Sequence, residues 1–281
     1  QSGKNKILFY SQEFEKKLLL KHELEESLKN PNSNSHFEVY YQPKVNVYTN
    51  QVVGAEALVR WRNTKGELIF PDAFIPLAEE TGLIIPLGEL VLTQACKQAA
   101  LWQDEGYKLQ IAVNVSLIQF EDRDFLTILK NILKETKLRP NLLELELTES
   151  ILAKDVQHAR TLISGIKELG VAIALDDFGT GYSSLSYVKD FQLDVLKIDQ
   201  SFIRDMFESS SNQVIISAII QMAKGLKLKL IAEGVETAEH SKQLAEMGCE
   251  IMQGYLYSKP IPVQEFSELL KINNPKETAP M

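Results

Sequence analysis

Seven points along the sequence set a polar, chemically competent side chain into an apolar run. They are Glu56 in "GAEALVRW", Asn114 in "IAVNVS", Glu146 in "LELELTES", Asp176 with Asp177 in "ALDDFG", Lys197 in "VLKIDQ", Glu233 in "LIAEGV" and Gln253 in "IMQGYL". A buried carboxylate without a partner is costly enough that it must find a cation or change protonation state. Carboxylates with one amide oxygen, and no cysteine or histidine among them, form a hard oxygen set suited to Mg²⁺ or Mn²⁺ rather than zinc or copper. The adjacent Asp176 and Asp177 could serve two ions. Two ions about 3.5 to 4 Å apart stabilise both the attacking and the leaving oxygen of an in-line phosphoryl displacement. An aspartate pair can equally cap a following helix, and it is the other six points that favour a site. The four histidines, at 22, 36, 158 and 240, fall in expected helix or loop and are read as solvated surface.

The elements that must position these groups are legible as alternation. Two β-rich runs, "FEVYYQPKVNV" and "VVGAEALVRW", are joined by a turn short enough for an antiparallel hairpin. Six more follow, "LQIAVNVS", "LLELELTES", "VAIALDDFG", "DVLKIDQSF", "LKLIAEGV" and "CEIMQGYLY", each after a helical pattern such as "DFLTILKNILKETK" or "TAEHSKQLAEMG". The glycine closing the latter suits a helix C′ position. Eight strands alternating with helices point to an α/β fold, a (β/α) barrel, with each chemical group near the C-terminal end of its strand, the face where barrels build their sites. An open doubly wound sheet competes, but no glycine-rich phosphate loop follows the first strand. In "LELELTE" the leucines 143, 145 and 147 share one face and Glu144, Glu146 and Thr148 the other, so that strand has a polar side turned to the barrel interior.

Composition sets the outer bounds. The chain has 281 residues, 44% hydrophobic and 24% charged, and carries a net charge of −8. That deficit of basic residues argues against a DNA or RNA polymer as partner, though not against a small phosphate ligand. Cys96 and Cys249 have no Cys or His neighbourhood that suggests zinc or a disulfide framework, so a reducing, cytoplasmic setting is expected. No apolar stretch approaches the roughly 20 residues of a membrane span. Residues 11–30 form a helical pattern with a narrow apolar stripe, readable either as a connector from a missing upstream domain or as a helix packed on the main one. The expected division is a linker over residues 1–36, a barrel over 37–275 and a short tail over 276–281.

In order, "EALVRW", "NVS", "ELTES", "DDFGTGYSSLSYV", "LKIDQSFI", "IAEGVET" and "QGYLYSKP" resemble the successive signatures of the EAL family, bacterial phosphodiesterases of cyclic di-GMP. The resemblance implies a modified TIM barrel with one antiparallel strand. It implies that Glu56, Asn114, Glu146 and Asp176 hold one Mg²⁺ or Mn²⁺, with Asp176 bridging to a second ion that Asp177 also holds. Lys197 would orient the attacking water and Glu233 take its proton. Arg60 would contact a substrate phosphate, while Gln42, Glu236 and Gln253 would line the dinucleotide pocket. Glu149 would anchor the "DDFGTGYSS" loop, whose glycines 179 and 181 permit its bends. Also implied are a homodimer formed near that loop, Ca²⁺ binding without turnover, and an upstream GGDEF or sensory domain. Non-catalytic receptors of this family typically lack some of the acids or the lysine, all of which are present here.

Overall fold

In the computed structural model the described residues are 12–29, 36–179, 191–208 and 210–274. Strand β1 (His36–Asn46) pairs antiparallel with β2 (Gln51–Arg62) across a tight turn, His36 opposite Arg62 and Asn46 opposite Gln51. A two-residue strand, β3 (Leu68–Ile69), extends the far edge of β2. Then come β4 (Gln110–Asn114), β5 (Leu143–Thr148), β6 (Ala172–Phe178), β7 (Val195–Ile198), β8 (Lys229–Ala232) and β9 (Ile251–Met252). β4 joins β2 in parallel, and each later strand pairs in parallel with its predecessor. β9 closes the ring by pairing antiparallel with β1 at Val45 and Asn46. The result is a closed eight-stranded barrel, β1 being antiparallel to both neighbours. A last short strand, β10 (Ile261–Pro262), lies outside the ring on β1.

Alternation along the strands sorts two environments. Leu143, Leu145 and Leu147 belong to the main apolar core, whereas Glu144 and Glu146, on the opposite face of β5, are buried inside the barrel. Ala174, Val195 and Ile231, with Ile251 beside them, form a separate small apolar cluster. Each stands two residues before Asp176, Lys197, Glu233 or Gln253, the last two lying just past the ends of β8 and β9, so they plug the interior one layer beneath those groups. Only a glycine fits at position 54: a Cβ there would lie 2.6 Å from the Gln110 carbonyl oxygen of the paired strand.

The first helix (Gln12–Lys29) packs on the barrel, with Leu24 and Ser27 buried and the Trp61 indole donating to Ser27 Oγ at 3.1 Å. The helix Pro71–Thr81, not singled out in the sequence, carries two prolines; Pro71 occupies the first helical turn, where its missing N–H costs nothing. Gly248 does end the helix Ala238–Met247 in the left-handed conformation, with φ 92°. His240 departs from the surface reading. That helix turns His240 and Leu244 inward together, and the imidazole stacks on Phe207 with ring centroids 5.5 Å apart.

Candidate metal centre at the barrel mouth

At the C-terminal rim the interior-facing residue of each parallel strand meets the others. Lys197 Nζ, 1% exposed, lies 2.7 Å from Glu146 Oε2, 2.7 Å from Glu233 Oε1, 3.1 Å from Asp176 Oδ2 and 3.9 Å from Glu56 Oε2. The amide of Asn114 donates to Glu56 Oε1 at 2.6 Å, which leaves its own Oδ1 as the oxygen a cation would take. Gln253 Nε2 donates to Glu56 Oε2 at 2.5 Å and to Gln42 Oε1 at 2.9 Å. Gln42 in turn donates to the Ser258 carbonyl at 3.1 Å. The structure thus brings Glu56, Asn114, Glu146, Asp176, Lys197, Glu233, Gln42 and Gln253 into one connected cluster.

Asp176 and Asp177 are adjacent, and in a regular strand they would point to opposite faces. The β6–β7 register shifts between Leu175 and Phe178, and Asp177 takes φ 55°, a left-handed conformation that aspartate tolerates better than most residues. The irregularity turns both acids to the mouth: Asp176, Asp177 and Glu233 each offer an oxygen within 4.8 Å of the others. Asp176 Oδ1 also accepts from the Asp177 backbone N–H at 2.9 Å.

Charge is unevenly matched here. Inside the barrel the carboxylates of Glu56, Glu144, Glu146, Asp176 and Glu233 face the ammonium groups of Lys44 and Lys197. Burial would raise Glu146, but Lys197 and Lys44, one on each of its oxygens, outweigh it and bring its pKa down to about 2. Glu233 goes the other way: burial, with Asp176, Glu56 and Glu146 adding to it, lifts the carboxyl well above its usual range against the pull of Lys197. Glu56 and Asp176 are raised for the same leading reason, as is the more exposed Asp177. Lys197 stays protonated, because the acids around it overcome the cost of burial. The donors are oxygens, the acids outnumber the ammonium groups, and three carboxylates converge at the rim, so the residues fit hard divalent cations.

Arg60, at the outer end of β2, holds its guanidinium 5.1 Å from the Phe70 ring centroid and 5.6 Å from that of Tyr40. Glu236 is exposed on the segment after β8, and Glu149 opens the helix Glu149–Lys154 at the end of β5. Of the loop that Glu149 is expected to anchor, residues 176–179 are described, and the rest, with Gly181, lies outside the described residues. Lys44, notable in the sequence only as a lysine in "YQPKV" where the family usually has a branched apolar residue, had no role assigned to it. It alternates with Gln42 on the interior side of β1, the same polar-face signal that exposed Glu144 and Glu146, but a lysine in a β-rich run was not taken as an inward residue.

Known proteins resemble this chain along most of its length. Residues 22–260 match the EAL domain. The Bacillus subtilis signaling protein YkoW is 42% identical over 270 residues, spanning 96% of this chain and 34% of that protein. The bifunctional diguanylate cyclase/cyclic di-GMP phosphodiesterase MucR of Pseudomonas aeruginosa is 38% identical over 268 residues, 94% of this chain and 38% of MucR. The chain therefore spans a little over a third of the length of these relatives. A solved structure titled "PaMucR Phosphodiesterase, c-di-GMP complex" superposes with a TM-score of 0.84 at 40% identity, covering 88% of this chain and 99% of that one. By sequence and by fold, this chain belongs to the EAL domain family.

Proposed function

We propose that this chain hydrolyses one phosphodiester of cyclic di-GMP to give linear 5′-pGpG, drawing on two divalent cations, Mg²⁺ or Mn²⁺. The observation that carries the reading is the convergence of Glu56, Asn114, Glu146, Asp176, Asp177 and Glu233 around one buried ammonium group, Lys197, at the mouth of the barrel. A receptor of the same nucleotide would not need every one of those groups.

Glu56, Asn114, Glu146 and Asp176 would hold one ion, and Asp176 with Asp177 the second. Bound there, the ions would polarise the phosphate and make a water acidic enough to attack. Lys197, already between Glu146 and Glu233, would orient the attacking water. Glu233, 2.7 Å from Lys197 and beside Asp176 and Asp177, would be the base that takes the proton and can return it as the 3′ oxygen departs. Arg60, one of whose terminal nitrogens donates to the Val59 carbonyl at 2.9 Å, would turn its remaining N–H groups to a substrate phosphate. Gln42, Glu236 and Gln253 line the pocket for the rest of the dinucleotide. Glu149 steadies the segment that carries Asp177 and Gly179, and the working unit is a homodimer.

The barrel unit is taken as residues 37–275, with 1–36 as the approach from a GGDEF or sensory domain, in a cytoplasmic setting. No helix among the described residues is long and apolar enough to cross a membrane.

Exchanging the ion separates enzyme from receptor. Mg²⁺ takes near-ideal octahedral oxygen shells at about 2.0 to 2.1 Å, Ca²⁺ larger and irregular ones at about 2.3 to 2.6 Å. Both suit an acidic site, but the larger and less polarising ion should leave the water misplaced and less acidic. Calorimetry is expected to show cyclic di-GMP binding with Mg²⁺, Mn²⁺ and Ca²⁺, and chromatography to show pGpG with Mg²⁺ and Mn²⁺ alone. Tight binding with no linear product under any of the three ions would leave the receptor.

A further inference from the structure

Beneath the metal-facing layer the barrel holds a second charged pair that the proposed reaction does not use. Lys44 Nζ, buried on β1, donates to Glu144 Oε1 at 2.7 Å and to Glu146 Oε1 at 2.8 Å. Glu146 Oε2 is taken from the other side by Lys197 at 2.7 Å. The charges therefore alternate up the interior: Glu144, Lys44, Glu146, Lys197, then Glu233 and Asp176 at the mouth.

The backbone fixes the lower half of this column. Lys44 stands opposite Gly54, which has no side chain to compete for the space, and the β1–β2 register shifts immediately after it. Glu144 and Glu146 are two residues apart on β5, so both point inward, one layer apart. On the neighbouring strands Glu144 stands beside two alanines, Ala112 and Ala172. An ammonium group with two carboxylate partners and little room to move is a rigid anchor.

We infer that Lys44 is a positioning residue for the metal centre: by holding Oε1 of Glu146 from below, it fixes the direction in which Oε2, shared with Lys197 in the cation-free site, faces the mouth. Glu144 shares Lys44 with Glu146, and Glu146 alone still holds the ammonium when Glu144 is neutral. Supporting groups of this kind, one bond behind a ligand, commonly set metal affinity as strongly as the ligand itself. The inference rests on the proposed metal-dependent reading, and its test is made without substrate.

Mn²⁺ binding is measured by titration calorimetry on the substrate-free chain and on two variants. Glu144→Gln leaves Lys44 on Glu146 and should keep the Mn²⁺ dissociation constant within about threefold of the parent. Lys44→Met/Glu144→Gln removes both charges, so no carboxylate is left newly unpaired below Glu146, and should weaken Mn²⁺ by about 10- to 100-fold. A folded double variant that binds Mn²⁺ like the parent overturns the inference. So does a Glu144→Gln loss equal to that of the double variant, which would locate the effect in interior packing. Should the double variant fail to fold, a crystal structure of the parent with Mg²⁺ decides: Oε1 still on Lys44 supports the role, and Oε1 turned to the ion refutes it. A parent that binds Mn²⁺ but leaves cyclic di-GMP intact would sink the proposed activity and leave this inference standing. A parent that binds no Mn²⁺ overturns both.

Discussion

Asp176→Asn is expected to leave a folded protein that turns over cyclic di-GMP about a thousandfold more slowly or worse. The side chain keeps its shape but loses its charge at the position proposed to lie between two cations. At about 4 Å and an effective dielectric of about 20, a unit charge pair is worth about 4 kcal/mol. Each 1.36 kcal/mol or so of barrier is tenfold in rate, hence about three orders of magnitude. The fold should not suffer. In the cation-free site Asp176 is buried beside Glu146 and Asp177, and its carboxyl is pushed up by burial and by those acids. A neutral amide relieves that repulsion, so the melting temperature without metal should hold or rise. Initial rates at saturating Mg²⁺, read beside the melting temperature, check both halves. A parental rate in this variant would refute the bridging assignment.

Lys197→Ala acts on the same cluster with the opposite sign of charge. The ammonium lies within 3.9 Å of four carboxylates, and its removal leaves Glu146 with Lys44 alone and the other three without that ammonium partner. Without metal the variant should melt earlier than the parent, and Mg²⁺ should restore more stability than it gives the parent, since binding to the native state alone raises stability. Turnover should fall by about 10² to 10⁴, the usual range for a group that directs proton transfer. KM should move far less, because the proposed contact is with the water and not the nucleotide. Equal losses in kcat and in substrate binding would make Lys197 a substrate clamp instead.

Much of this architecture can be read from the sequence because barrel strands carry two independent signals. Alternation in "LELELTE" separates the core leucines from the interior acids, and position along the strand places Glu146 at the rim. The eight ring strands are legible for that reason, as is the antiparallel hairpin from its short turn. Sequence periodicity is weaker where tertiary contact overrides local pattern. The helix Pro71–Thr81 hides behind two prolines, and β3 and β10 are two-residue strands whose existence depends on the edges they join. His240 looks polar and solvated until its helix is docked. Asp176 and Asp177 are readable as a pair, but not the left-handed turn at Asp177 that lets both face the mouth, since any acid pair in a regular strand would diverge. Lys44 is the instructive omission: a buried lysine becomes intelligible only when Glu144 and Glu146, a hundred residues away, are placed across the barrel from it.

The central claim is that this acid-lined mouth opens one phosphodiester of a cyclic dinucleotide with water. Single-turnover incubation of cyclic di-GMP with excess protein and Mg²⁺, followed by ³¹P NMR, reads the bond itself. The account predicts that the cyclic diester resonance gives way to one phosphomonoester for every remaining diester, as in 5′-pGpG. A diester signal that shifts on binding yet never yields a monoester would contradict it.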